Sequence, residues 1–301
     1  MVEDTTTAPS PTALRPTLTQ ARAPLTCQTT VMNEFGHTVD LAIPAERPLT
    51  VYVDKRELVT LMTLGARPEW LVLGYLRNQR LVESLADIES ISVDWEVGAA
   101  AVKTRSGIDH IEAKTAKRVV TTGCGQGSMF GALMDDVADL VLPPTARLRQ
   151  SQLQAVVNAI RLQESTYKSA GSVHGCALFR GDELLLFVED VGRHNAVDTI
   201  AGWMWLQQGP AGEPLRGDDK VFYTTGRLTS EMVIKSAQMG VPVVVSRSGM
   251  TQMGLEVAQK VGLCAIGRAT HKRFFCFAHS ERLVLDAVPD PISGSHVPHL
   301  V

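Results

Sequence analysis

VFYTTG (221–226), TSEMVIKSAQMG (229–240), VPVVVS (241–246), MTQMGLEVAQKVG (250–262) and LCAIGR (263–268) follow one another almost without interruption. The first, third and fifth are short apolar runs rich in β-branched residues. The second and fourth carry apolar residues at helical spacing and stop at Gly240 and Gly262. Strand, helix, strand, helix, strand in this rhythm specifies a parallel sheet covered by helices, so this half of the chain is α/β. In open sheets of that kind a ligand sits beyond the carboxyl ends of the strands, where residues 224–227 and 246–249 fall.

Working back from this block, CALFRGDELLLFVED (176–190) reads as two strands of a β-hairpin joined at Arg180, Gly181 and Asp182. HNAVDTIAGWMWLQQG (194–209) reads as a helix ending at Gly209. RQSQLQAVVNAIRLQ (149–163) has Leu153, Val156, Val157 and Ile160 on one helical face and connects two halves of the fold.

The N-terminal half is less regular. In TVDLAIPAERPLTVYVD (38–54), Pro44 and Pro48 mark a turn, Leu49–Val53 reads as a strand, and Asp54 looks like a helix cap. ELVTLMTLGARPEWLVLGYLRNQRLV (57–82) reads as a helical hairpin broken at residues 65–68, with Pro68 and Glu69 in the first turn of its second helix. ISVDWEVGAAAVKT (91–104) and KRVVTTG (117–123) read as short strands, the last covering residues 118–122. The expected organisation is a disordered tail over 1–24, an α+β region over 25–150, an α/β domain over 151–286 that binds a cofactor, and an irregular tail over 287–301.

A chain of 301 residues, 45% of them hydrophobic, buries a full core. Its formal charge of -3 and pI near 6.2 disfavour nucleic acid as a partner. The 5 cysteines are an odd number, widely spread in a chain too long to need disulfide staples, and read as reduced thiols. Neither a signal peptide nor an apolar run long enough to span a bilayer is evident, so the expected location is the cytoplasm, away from any membrane.

Four segments could carry chemistry. TTGCGQGSMFG (121–131) sets Cys124 among Gly123, Gly125 and Gly127, which leave its sulfur unshielded and let backbone N–H groups point at a thiolate. EDVGRHNAVD (189–198) places Arg193, His194 and Asn195 at a strand-to-helix junction suited to an oxyanion, with an ordinary capped helix as the plain alternative. TTGRLTSEMVIKSA (224–237) repeats that logic with Arg227. HKRFFCFAHSERL (271–283) sets cations beside aromatic rings that could hold a heterocycle, or is simply a buried strand. SVHGCAL (172–178) lacks the H-x-E pattern of a zinc deaminase, no cysteine pair has metal-ligand spacing, and no metal site is expected.

Taken together, TTGCGQG, SVHGCALF, EDVGRHNAVD, TTGRLTSEMVIKSAQMGVPVVVSRS and RFFCFAHSERL resemble the formate dehydrogenase accessory sulfurtransferases, the FdhD family, in order and spacing from about Leu49 to Leu283. The resemblance implies a cytidine-deaminase-like α/β sheet with helices, plus a smaller N-terminal α+β region. It implies a sulfur carrier that takes sulfur from a cysteine desulfurase as a persulfide and passes it to the molybdenum cofactor, Mo-bis(molybdopterin guanine dinucleotide). The cofactor is bound as substrate and destined for the formate dehydrogenase catalytic subunit. A homodimer is the family expectation.

The persulfide-bearing cysteine of the family corresponds to Cys124, and the second cysteine of its C-x-x-C pair is Gly127 here. This departure removes any two-thiol relay through the loop. Its cofactor-binding stretch corresponds to Phe274, Phe275, Cys276, Phe277, Ala278 and His279; Arg193, His194, Asn195 and Arg227 are added from their chemistry. Cys27, Cys176, Cys264 and Cys276 are expected to be dispensable, Cys176 and Cys264 as small hydrophobes in apolar strands. The competing expectation is a chaperone that holds the cofactor and docks on the apo-dehydrogenase without moving sulfur.

Overall fold

The computed structural model describes residues 15–108, 119–120, 127–128, 137, 140–207 and 215–288. In the N-terminal half the strands are β1 (Thr17–Leu18), β2 (Thr26–Met32), β3 (Thr38–Pro44), β4 (Arg47–Val53), β5 (Arg56–Thr63), β6 (Ile88–Asp94) and β7 (Ala99–Thr104), with helix α1 (Pro68–Asn78) between β5 and β6. Five of them make a sheet in the order β1-β6-β7-β4-β5, and β2 and β3 form a separate ribbon. Val119–Val120 (β8) pairs antiparallel with Gly127–Ser128 (β9).

Leu148–Arg149 (β10) leads into α2 (Gln150–Leu162) and α3 (Thr166–Ala170). Then come β11 (His174–Arg180), β12 (Glu183–Asp190), α4 (Arg193–Leu206), β13 (Lys220–Thr224), α5 (Ser230–Gln238), β14 (Val243–Ser246), α6 (Gln252–Val261), β15 (Cys264–Thr270), β16 (Arg273–Ala278) and β17 (Leu283–Val284). The large sheet runs β12-β11-β13-β14-β15-β16, with β13, β14 and β15 parallel and the flanking pairs antiparallel. Gly240 and Gly262 take positive φ (75° and 74°) just beyond α5 and α6, the conformation that glycine supplies without strain.

One apolar cluster fills the side of the sheet covered by α4, α5 and α6, and another fills the side covered by α2. A third lies between α1 and the N-terminal sheet. The two halves are joined by α1 against α4, which approach most closely at Gly74 and Gly202. A Cβ on Gly74 would fall 1.7 Å from the Asp198 carbonyl oxygen, and one on Gly202 would fall 1.9 Å from that of Trp70.

The fold class agrees with the expectation, and several local readings do not. The helical hairpin over 57–82 is half wrong: Arg56–Thr63 is β5, and only Pro68–Asn78 is helical. Val59, Thr60 and Thr63 are β-branched, the segment pairs with β4 throughout, and after a bulge at Leu58 burial alternates from Leu61 to Thr63. Asp54 caps no helix. It and Lys55 turn the β4–β5 hairpin with φ of 46° and 72°, and its carboxylate accepts from the Thr104 N–H (2.9 Å) and hydroxyl (2.5 Å). Pro48 stands inside β4 and not in a turn.

The expected disordered tail is corrected over residues 15–24. β1 pairs with β6, while the Thr19 hydroxyl and the Ala21 N–H both donate to the buried Glu69 carboxylate, at 2.9 and 2.6 Å. Satisfying that carboxylate, with Leu18 and Ala21 packed on the N-terminal core, offsets the entropy of ordering a polar segment. Helix α4 ends at Leu206, before the expected Gly209, which lies outside the described residues.

Candidate functional site

The carboxyl ends of the parallel strands meet two polar regions, one buried among helix starts and one open. The buried region begins where β12 hands over to α4. The Asp190 carboxylate accepts from the Thr63 hydroxyl (2.5 Å), Leu64 N–H (3.2 Å), Gly192 N–H (3.0 Å) and Asn195 side-chain amide (2.8 Å). Asn195 also donates to the Met62 carbonyl at 2.7 Å. Both side chains therefore tie the end of β5 to the start of α4.

One turn further along α4, Asp198 pairs with Lys235 of α5 at 2.8 Å and accepts from Asn78 of α1 at 2.7 Å. Lys235 also lies 3.4 Å from Glu231. Burial opposes its charge, but the two carboxylates outweigh this and raise its pKa. His194 Nε2 lies 3.3 Å from Glu231 Oε2 without a well-aligned hydrogen bond. Burial first, then the charges of Lys235 and Arg193 and the neighbouring His174, push His194 down to about 2 and leave it neutral.

Arg193 is different. It is buried, its Nε has no hydrogen-bond partner among the described residues, and its stem lies across Gly226, where a Cβ would come within 2.9 Å of its Cδ. Arg227 is exposed beyond the same turn. Burial first, then these two guanidinium groups, lower the pKa of His174 at the start of β11.

His174 also borders the open region, a cavity of about 580 Å³ between the carboxyl ends of β13–β15 and the end of α2. Apolar walls come from Val157, Ile160, Phe187 and Tyr223, and cationic or polar ones from Lys168, Thr225, Arg247, Ser248 and His271. Glu189 holds the start of α3 against the cavity by accepting from the Thr166 and Tyr167 N–H groups, at 2.5 and 3.1 Å. Apolar walls with a few convergent cations can receive a flat heterocycle and bind anionic oxygens at one end.

The expected residues divide among these places. Arg193 and Arg227 stand beside His174 at the β13–α5 turn, whereas His194 and Asn195 belong to the buried cluster. Phe274, Phe275, Cys276, Phe277 and Ala278 form β16, the outer strand of the sheet, with His279 just beyond. The cavity wall reaches Thr270 and His271 and stops short of that stretch. Cys124 lies outside the described residues.

Sequence points to His174 only as a possible metal ligand, and it does not single out Tyr223, Arg247, Lys168 or His271. Arg247 was within reach of the sequence, since it directly follows a parallel strand. Among the described residues no group of three or more His, Cys, Asp and Glu could hold a metal ion, and no helix is long and apolar enough to cross a membrane.

Residues 44–284 match the FdhD/NarQ family profile. The chain belongs to the FdhD/NarQ family. Relatives include the "Sulfur carrier protein FdhD" of Geobacillus kaustophilus, 27% identical over 81% of this chain and 90% of the relative. The protein of that name from Bacillus subtilis is 29% identical over 79% of this chain and 88% of the relative. In fold the chain resembles a candidate formate dehydrogenase accessory protein from Desulfotalea psychrophila, with TM-score 0.67 and 23% identity, covering 87% of this chain and 100% of that one. The family match runs from the end of β3 to β17, so it takes in the α1–α4 crossing, the buried cluster, the cavity and Cys124 alike.

Proposed function

We propose that this protein is a cytoplasmic sulfur carrier, a sulfurtransferase serving formate dehydrogenase. Sulfur arrives from a cysteine desulfurase as a persulfide on Cys124 and leaves for Mo-bis(molybdopterin guanine dinucleotide), the substrate, before that cofactor enters the dehydrogenase catalytic subunit. Support comes from the family match, from relatives named as sulfur carriers, and from the glycines around Cys124. Glycines on both sides of a cysteine are the sequence pattern expected of an unshielded thiolate open to persulfide exchange.

The observation that carries the reading is the strand-end cavity. Its volume of about 580 Å³ lies within the small-molecule range of about 300–1,000 Å³, and its cations suit the phosphates of one guanine-nucleotide arm. Arg193 and Arg227 add positive charge near His174, which borders the cavity. The Phe274–His279 stretch is the competing location.

The test is mass spectrometry of the full chain after incubation with a cysteine desulfurase and cysteine. The expected result is an adduct of about 32 Da on the Cys124 peptide, lost on reduction, and no formate dehydrogenase activity in cells carrying Cys124→Ala. Full activity with Cys124→Ala overturns the carrier. The chaperone reading, favoured by Gly127 in place of a second thiol, then takes over.

A further inference from the structure

Cys264 and Cys276 are both free thiols, and their sulfurs lie 3.8 Å apart. They sit on β15 and β16, which are antiparallel neighbours. Cys276 faces Ile266 across the pair, and Cys264, two residues before Ile266, shares that face of the sheet. A register irregularity between Ala265 and Ile266 draws the two side chains together. The pair is asymmetric: Cys264 is fully buried under Leu148 and α2, whereas Cys276 is half-buried on the outermost strand of the sheet.

We propose that Cys264 and Cys276 form a redox-active dithiol that reduces the sulfur–sulfur bond of a persulfide by two electrons and closes into a cross-strand disulfide. The more exposed Cys276 is the attacking thiol and Cys264 resolves. The charge distribution agrees with these roles. The hydrogen bond from Cys264 is the largest influence lowering the Cys276 pKa, and the same bond, with burial, raises that of Cys264.

The Cys276 thiolate, its proton given to solvent, attacks the outer sulfur of R–S–SH. An S–S bond forms on Cys276, and RS⁻ leaves and takes up a proton. Cys264 then attacks Cys276 Sγ and expels the transferred sulfur as HS⁻, which accepts the Cys264 proton. Two thiols are oxidised to one disulfide, and the sulfane sulfur is reduced to sulfide. Sulfur carried as a persulfide must gain two electrons to become a metal sulfido ligand, and the Cys124 loop, with Gly127, has no second thiol to give them. This use rests on the sulfur-carrier reading, whereas the dithiol chemistry stands without it.

The experiment exposes the reduced full chain, without oxygen, to glutathione persulfide, then alkylates and maps the peptides. Expected are a Cys264–Cys276 linked peptide lighter by about 2 Da than the two thiol peptides together, and about one sulfide released per chain. Cys276→Ser should abolish both products. Cys264→Ser should retain an unresolved persulfide on Cys276, about 32 Da heavier, and release no sulfide from it. Two alkylated cysteines in the treated wild type, or as much sulfide from Cys276→Ser as from wild type, overturns the proposal. Failure of the carrier reading is read on a different peptide, as a Cys124 that gains no sulfur from the desulfurase.

Discussion

In the cluster beneath α4 and α5, strong charges meet their opposites inside the protein. Lys235 reaches Asp198 and Glu231, and Asp190 is surrounded by four donors from two segments, the end of β5 and the start of α4. In the strand-end cavity, Lys168, Arg247 and His271 border open space beside aromatic walls, and no carboxylate pairs with Arg247 among the described residues. Both regions are dense in polar residues and both adjoin the carboxyl ends of strands. The difference lies in where compensation comes from. Charges neutralised by the chain itself hold the N-terminal layer on the α/β sheet, whereas Arg247 at the cavity is left to an anion from outside. Polar density at a helix start is thus a weak indicator of function until its partners are counted.

The largest expected effect breaks the inward-facing half of this comparison. Lys235→Met leaves Asp198 and Glu231 buried without their cation, which should cost about 3–5 kcal/mol in urea denaturation. Because the folded pKa of Lys235 is raised, its contribution is fully present below the ordinary lysine value and is lost only as pH rises through the folded one. A loss below about 1 kcal/mol, the scale of a surface pair, would show that the cluster does not hold the layers together.

His194 gives the second test. Its folded pKa of about 2 lies below the ordinary 6.5, so in this window the unfolded chain takes up a proton that the folded chain refuses. The contribution is complete above the ordinary value and falls as pH drops toward the folded one, by about 1.4 kcal/mol per pH unit. Stability measured between pH 7 and pH 4 should converge for wild type and His194→Gln as acid is added. Parallel curves would mean that Glu231, 3.3 Å away, already lets His194 carry a proton.

The C-terminal sheet was legible because its strands are short apolar runs and its helices end in glycines, so local pattern and tertiary position agree. Sequence alone makes the β5 segment look helical because Leu58, Leu61 and Leu64 recur at every third residue, whereas in the strand a bulge at Leu58 breaks the two-residue period. The ordering of residues 15–24 depends on Glu69, about fifty residues away, and no local pattern reports such a partner. Within the site, sequence places a ligand at the strand ends, yet it does not separate Asn195, spent on Asp190 and Met62, from Arg193, whose Nε is unpaired among the described residues. Pairing across α1, β5 and α4 decides that, and it exists only in three dimensions. The proximity of Cys264 and Cys276, twelve residues apart, arises in the same way from strand register.

A smaller effect sharpens the outward-facing half. Arg247→Ala should weaken GDP binding about 10- to 100-fold, the worth of one charge-assisted hydrogen bond, and leave guanosine nearly unchanged. Calorimetric titration of both ligands into each protein separates a lost phosphate contact from a collapsed cavity, which would weaken both. Equal losses for GDP and guanosine would therefore remove Arg247 from the phosphate end.

The smallest expected effect is the one that decides between cavity and edge strand. Phe277 lies on β16 with its ring over Gly267, so close that a Cβ there would meet it at 2.8 Å, and it does not border the cavity. Removing the ring uncovers a glycine and a strip of sheet edge, a local change that should shift neither wall nor cation around the strand ends. Phe277→Ala should then alter the affinity for GDP and for guanosine by less than about two-fold, within about 0.4 kcal/mol. If the ring instead stacks on the base, both ligands lose affinity alike, by about 1–3 kcal/mol, because stacking is indifferent to the phosphates. That result would return the nucleotide to the Phe274–His279 stretch. Arg247 would then need another anion, and the contrast between the two polar regions would lose its functional half.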